Sequence, residues 1–213
     1  MYKRQGGGSA IAGSSFGPGI FLQGNDANNG GAGTLTFAPS ALQTQTVNDI
    51  IADQTGSGAT GAWALAMSGA GTLDLIGENT FSGGVTVTAG TLEVNNGGGS
   101  GTGTGAVSIG SGATVNGTGS IAGSLTALAG STIVPGAGIG TLTVGGSVTW
   151  NSTATANCTL GINSPVSSRL VIAGSLLAGG SGPFQFNFQN SGSQGLTYTP
   201  VSYTHLDVYK RQY

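Results

Sequence analysis

Asp49 and Asp53, four residues apart in TVNDIIADQ (46–54), are the side chains whose type and spacing come nearest to acid–base chemistry. Retaining glycan hydrolysis needs two carboxyl groups about 5–5.5 Å apart. On a strand, positions four apart share a side but stand about 13 Å apart, so only a turn would bring this pair together. Asp74 and Glu93 are 19 residues apart and become neighbours only if the chain winds back on itself once in that interval; a solvated pair is then expected. Nucleophilic catalysis lacks a base: no serine between residues 6 and 200 has a histidine to activate it. Asn25-Asp26 in GNDANN hints at calcium, but the repeated G-G-x-G-x-D nonapeptide is missing, so a surface loop is expected. Cys158 alternates with Leu160 and reads as a small buried hydrophobe; as the single cysteine it has no intrachain partner. The sequons at Asn116, Asn151 and Asn157 are expected by chance in a chain this rich in Asn and Thr. Phe81 and the set Phe184, Phe186 and Phe188 read as core or edge cover, with a sugar platform left open by the alternation of the latter three. No catalytic, cofactor or metal residue is assigned.

The elements that would position these groups lie between two unusual ends. Residues 2–5 (YKRQ) recur identically at 209–212. Both ends resemble the translated mosaic-end adapter of transposon-based sequencing libraries, which encodes Asp207-Val208-Tyr209-Lys210-Arg211-Gln212. An inverted adapter copy accounts for Val201 through Leu206. Residues 1–5 and 201–213 are therefore set aside as adapter-derived scar, and 6–200 is expected to be one β-helical fragment. Within it Arg169 stands alone against Asp26, Asp49, Asp53, Asp74, Glu78 and Glu93, a net charge of −5, and His205 falls outside. Nucleic-acid binding needs a basic stripe to displace counterions from phosphates, and none exists here.

Glycine supplies 43 of 213 residues, about three times the usual ~7 %. Disorder goes with low hydrophobicity and high net charge; this chain is 38 % hydrophobic with mean hydropathy +0.16. Collagen is excluded because glycine keeps no three-residue period. Val and Thr favour strands, glycine makes tight corners, and no 3.6-residue pattern gathers Ala, Leu, Glu or Lys. The class is all-β. No run approaches the ~18 apolar residues of a membrane helix.

The stretch GAGTLDLIGENTFSGGVTVTAGTLEVNN (69–96) organises the rest. Its Gly-Thr-Leu triplets at 71–73 and 90–92 start 19 residues apart, about one coil of a parallel solenoid. Leu73 and Leu75 alternate inward, Leu92 and Val94 would stack on them, and Asp74 and Glu93 would face water. The stretch resembles the passenger-associated transport repeat, or autotransporter-associated β-strand motif. The residues carrying the likeness are Gly71, Thr72, Leu73, Leu75, Gly77, Asn79, Thr80, Phe81, Ser82, Gly83, Gly84, Val87, Gly90, Thr91, Leu92 and Val94. Phe81 stands where the pattern has tyrosine, and Val85 where it has threonine. VPGAGIGTLTVGGSVTW (134–150) resembles the segment that follows the repeat in such passengers.

The resemblance implies a right-handed parallel β-helix serving as a non-catalytic structural or adhesive stalk, on the bacterial cell surface, at the outer membrane or secreted. It also implies export through a C-terminal outer-membrane β-barrel of the same protein, with host-cell or cell–cell surface ligands as partners and no cofactor. A competing pattern places Ile109, Val115, Ile121, Ala127, Ile133 and Ile139 six apart, as in a left-handed hexapeptide β-helix. Acyltransferases of that kind need a histidine, which the fragment lacks. A third possibility is a fragment of a β-helical polysaccharide-degrading enzyme whose active site lies elsewhere. Elsewhere, Gly19–Leu22, GTLTFAP (33–39), two strands around Gly174 and FQFNF (184–188) read as strands, WALAMSG (63–69) leads into the repeat, and TVNDIIADQ reads as a strand or a short helical turn. About eight to ten coils are expected.

Overall fold

The computed structural model describes residues 19–22, 32–54, 61–136, 138–151, 153–159, 167–180, 185–189 and 201–207; of 156–159, 189 and 201–207 it describes the backbone alone. The expected loop at Asn25-Asp26, the Cys158 side chain and Phe184 lie outside that set. Every strand pairing among the described residues is parallel, from Gly19↔Ile50 to Leu177↔Asp207. The chain is therefore a parallel β-solenoid, its strands stacked as rungs on three faces.

The first face is a seven-stranded sheet built from β3 (Thr44–Val47), β6 (Thr72–Leu75), β8 (Thr91–Val94), β10 (Thr114–Gly117), β13 (Thr132–Pro135), β16 (Thr155–Thr159) and β18 (Gln185–Gln189). The second face stacks β2 (Gly33–Phe37), β5 (Trp63–Met67), β7 (Val85–Val87), β9 (Val107–Ile109), β12 (Leu125–Ala127) and β15 (Val148–Trp150), then the C-terminal half of β17 (Arg169–Ala178). On the third face β1 (Gly19–Leu22) pairs β4 (Ile50–Asp53), while β11 (Ser120–Ile121), β14 (Thr141–Val144) and the first half of β17 form a separate ladder. The last strand, β19 (Val201–Asp207), lies along both halves of β17, its register shifting between Ile172 and Ser175. RLVIAGSLLA is thus one strand serving two faces rather than two strands, and TVNDIIADQ is two strands meeting at a corner.

Period-two alternation produces the core. Leu73, Leu92, Val115 and Ile133 are register partners in turn down the first face, and all four are fully buried. Leu65, Val85, Val107, Leu125, Val148 and Leu176 form the matching column on the second face. Full burial of one such side chain is worth about 1.5–3 kcal/mol, yet a single coil offers only a strip of them, so stability comes from neighbours stacking. Thr72, Thr91, Thr114, Thr132 and Thr155 alternate outward as a half-buried ladder.

Coil length varies. Register partners on the first face are separated by 19 residues at Thr72↔Thr91, 23 at Thr91↔Thr114 and 18 at Thr114↔Thr132. The hexad spacing describes that 18-residue coil well: Val115, Ile121, Ala127 and Ile133 are buried on successive faces. It then fails. Ile139 is 51 % exposed, because the chain makes a glycine turn at Gly136 and Gly138 and Leu142 and Val144 take the inward places on the third face.

Candidate functional site

The two aspartates weighed for acid–base chemistry do not form a pair. Asp49 is an exposed corner residue between β3 and β4, its carbonyl pressed against Gly77 of the next coil. Asp53 ends β4 and is 1 % exposed. Its Oδ2 accepts hydrogen bonds from the Trp63 backbone N–H (3.0 Å), the Ser82 backbone N–H (2.7 Å) and the Ser82 hydroxyl (2.8 Å). A carboxylate so placed ties β4, the start of β5 and the corner of the following coil together. Its lone pairs meet backbone donors, the arrangement that lets a charged group sit buried.

Asn79 does the same for the next level. It is 3 % exposed, accepts a hydrogen bond at Oδ1 from the Ile51 N–H (2.7 Å) and donates from Nδ2 to the Gly101 carbonyl (2.6 Å). Its own N–H donates to the Ser100 carbonyl (2.7 Å). One amide side chain therefore bridges the coil below to the coil above, where the corner 76–84 forms no strand. Above it, Ser100 Oγ accepts from the Ala122 N–H (3.1 Å) and Asn96 Oδ1 from the Ser120 N–H (2.9 Å). Asp53, Asn79, Asn96 and Ser100 make a polar spine inside the third face, where backbone partners are missing and the groups would otherwise be left buried and unpaired. The bridging roles of Asp53, Asn79, Asn96 and Ser100 were not anticipated; the sequence marked Asn79 only as a motif residue at a polar corner.

The other motif residues fall on this coil and at the start of the next, where Thr91, Leu92 and Val94 stack on Thr72, Leu73 and Leu75. Leu73, Leu75, Phe81, Val87, Leu92 and Val94 are buried without measurable exposure, and Thr72 and Thr91 are half-buried in the outer ladder. Thr80 is exposed, and its N–H donates to the Ile51 carbonyl (2.9 Å). Gly71 lies against the Ser40 and Gln43 carbonyls, and Gly83 against the Trp63 backbone. Gly84 (φ +84°) and Gly90 (φ +71°) adopt the left-handed conformation at the two corners flanking β7, each within a side chain's reach of a neighbouring carbonyl, Ala106 and Gly69 respectively.

Asp74 and Glu93 are register partners on the outer side of the first face. They are half-buried, not fully solvated, because each carboxylate is covered by an asparagine of the coil above. Asn95 Nδ2 donates to Asp74 Oδ1 (2.9 Å), and Asn116 Nδ2 to Glu93 Oε1 (3.1 Å). Arg169 is exposed at the start of β17, opposite Thr141. Among the described residues no three His, Cys, Asp or Glu side chains gather as metal ligands. An open depression lined by Pro39, Gln43, Thr44 and Gln45 has no charged side chain among those four.

The arrangement is thus a stacked coil with a polar bridge, and residues 65–94, running from β5 to β8 over that coil and the start of the next, match the family model of the passenger-associated-transport-repeat. The chain carries a passenger-associated transport repeat. The matched repeat starts at Leu65, four residues before the Gly69 frame, so it takes in the second-face strand on which the coil begins. The chain is also similar to the "Adhesin BmaC autotransporter" of Brucella suis biovar 1 (strain 1330), 38 % identical over 123 residues. That similarity covers 57 % of this chain and 3 % of the relative, so the chain spans a small part of that protein's length.

Proposed function

We propose that this chain is a stretch of autotransporter passenger: a structural and adhesive stalk displayed at the bacterial cell surface or released from it. It is carried out by a C-terminal outer-membrane β-barrel of the same protein, and its repeat assists export and folding. The observation that carries this reading is the repeat itself, 65–94, whose strands β5 and β6 pair with β2 and β3 below and with its own β7 and β8 above, which in turn pair with β9 and β10. A coil that pairs by backbone on both sides gives each newly emerged coil a template. The adhesin name of the relative supports adhesion, with host-cell or cell–cell ligands as partners. Coils of 18, 19 and 23 residues favour the right-handed winding over a strict hexad, as does the strong right-handed preference of parallel strand crossovers. Residues 6–200 are taken as one unit between adapter-derived ends. A glycan-degrading role draws no support from the acids, since Asp53 is engaged by three donors and Asp74 and Glu93 lie under asparagines.

Residues 6–200, placed between a signal peptide and an autotransporter barrel in a Gram-negative host, are expected to become accessible to external protease. They should also raise adherence to host cells or between bacteria above the barrel-alone control. Retention inside the cell, or adherence equal to that control, would overturn the reading.

A further inference from the structure

An asparagine followed by glycine can react with its own backbone, because glycine, lacking a Cβ, leaves its nitrogen open to the preceding side chain. The sequence holds three such pairs, Asn29-Gly30, Asn96-Gly97 and Asn116-Gly117. The first lies outside the described residues. Asn116 lies inside β10, its backbone paired with Glu93 on one side and Val134 on the other. Asn96-Gly97 sits instead in the strandless corner 95–106, where no ladder holds it. Gly97 is exposed, and a Cβ there would meet nothing within 4 Å. Asn96 is only 7 % exposed, and its carboxamide is pinned at both ends. Oδ1 accepts from the Ser120 N–H of the next coil (2.9 Å), and Nδ2 donates to the Gly98 carbonyl (2.6 Å). Gly101 and Gly119 lie so close to Oδ1 that a Cβ on either would press against it.

We propose that Asn96-Gly97 is a self-modification site closed by the coil stacked above it: left unstacked, Asn96 converts to aspartate and isoaspartate, and the product receives that coil less well. In the first step the Gly97 backbone nitrogen attacks Asn96 Cγ. The N–Cγ bond forms, the Cγ–Nδ2 bond breaks, and Nδ2 leaves as ammonia with the Gly97 amide proton. Water then opens the cyclic imide at one carbonyl or the other, giving aspartate or isoaspartate. Attack turns the carboxamide and makes Cγ tetrahedral. Both changes are opposed while Ser120 holds Oδ1, Gly98 holds Nδ2 and the two glycines leave no free space. Aspartate keeps an acceptor for Ser120 but sets a carboxylate oxygen against the Gly98 carbonyl, and it brings a charge into a buried corner. Isoaspartate carries the main chain through the side-chain carbon, so the corner no longer fits the coil above. The state of residue 96 thus records the time the chain has spent unstacked.

Incubation of the full chain in mildly alkaline buffer, with and without urea, followed by peptide mass spectrometry, tests this. Asn96 is expected to convert in urea and, with two hydrogen bonds to break, at least about tenfold more slowly in native buffer. Subdenaturing urea should release the reaction in step with hydrogen exchange at the Ser120 amide, since one opening exposes both. Gly97→Ala should slow conversion in urea at least about tenfold by crowding the nitrogen. Its circular dichroism and unfolding midpoint should match the parent, because the added methyl meets open space and Gly97 is not among the left-handed glycines. Asn96→Asp, the unrearranged product, should unfold at a lower midpoint than the parent. Equal rates in native buffer and in urea, or a Gly97→Ala chain that converts as fast as the parent, would defeat the proposal. So would an Asn96→Asp chain as stable as the parent.

Discussion

The coil of the transport repeat and the coils that follow it solve one problem in two ways. Both must satisfy the backbone on the third face, between the first-face strand and the second-face strand of each turn. In the later coils β11, β14 and β17 do it by ladder, with Ile121, Val144 and Ile172 stacked inward and the Thr143 N–H bonded to the Gly119 carbonyl at 3.0 Å. In the repeat coil the corner 76–84 has no strand, and side chains reach across: Asp53 to Trp63 and Ser82, Asn79 to Ile51 and Gly101. The difference does not follow from charge: residues 95–168 carry none, yet the corner 95–106 is also strandless and is bridged by Asn96 and Ser100 to Ser120 and Ala122, the ladder starting only at β11. In the repeat Phe81 is buried inside the corner, and the backbone donors and acceptors around it are met by amide and carboxylate groups. A backbone ladder depends little on which residues form it; a side-chain bridge depends on one.

The sharpest way to break that comparison is Asn79→Ala. It strips the partner from the Ile51 N–H and from the Gly101 carbonyl. An unsatisfied buried group costs about 1–3 kcal/mol, so the loss should be about 2–6 kcal/mol in chemical denaturation. Hydrogen exchange adds a local reading: protection at the Ile51 amide should collapse while that of Thr143, held by ladder, stays as it was. Equal loss at both amides would mean that the bridge is no more local than the ladder.

Removing apolar bulk from the shared column should cost somewhat less and should not distinguish the regions. Leu92→Ala empties a site between Leu73 and Val115, and deletion of a buried leucine usually costs about 2–5 kcal/mol. A change near zero would show that Leu92 contributes nothing to the column. The column is also what the sequence made plain. Alternation over TLDL and TLEV, together with the 19-residue return of Gly-Thr-Leu, was enough to pair Leu73 with Leu92 and Leu75 with Val94. The bridges were opaque for a physical reason: Asn79 bonds partners 28 residues before it and 22 after it, and nothing local marks those distances. Asp53 was weighed with Asp49 as an acid pair and set aside on strand spacing, but that spacing says nothing about the corner that turns Asp49 outward and buries Asp53. Ile139 kept its hexad place in the sequence, but the turn at Gly136 and Gly138 lengthened the coil and moved the inward position on to Leu142.

The smallest effect should come from the outer face of the same repeat, and it sharpens the comparison by keeping the chemistry constant. Asp74 is an acid held by an amide, as Asn79 is an amide holding the backbone, but Asp74 is half-buried and its donor, Asn95 Nδ2, can turn to water once released. Asp74→Ala therefore removes one hydrogen bond without burying an orphan, and a net bond of that kind is worth about 0.5–1.5 kcal/mol. Removing one of two register-paired carboxylates also relieves repulsion with Glu93, which pulls the net change toward the lower end. Added salt separates the two contributions: it screens the repulsion in the parent chain, so the gap between parent and Asp74→Ala should widen as ionic strength rises. A gap that narrows with salt would mean that Asp74 stabilises the coil through its charge, and that the outer face, like the corner, relies on particular side chains.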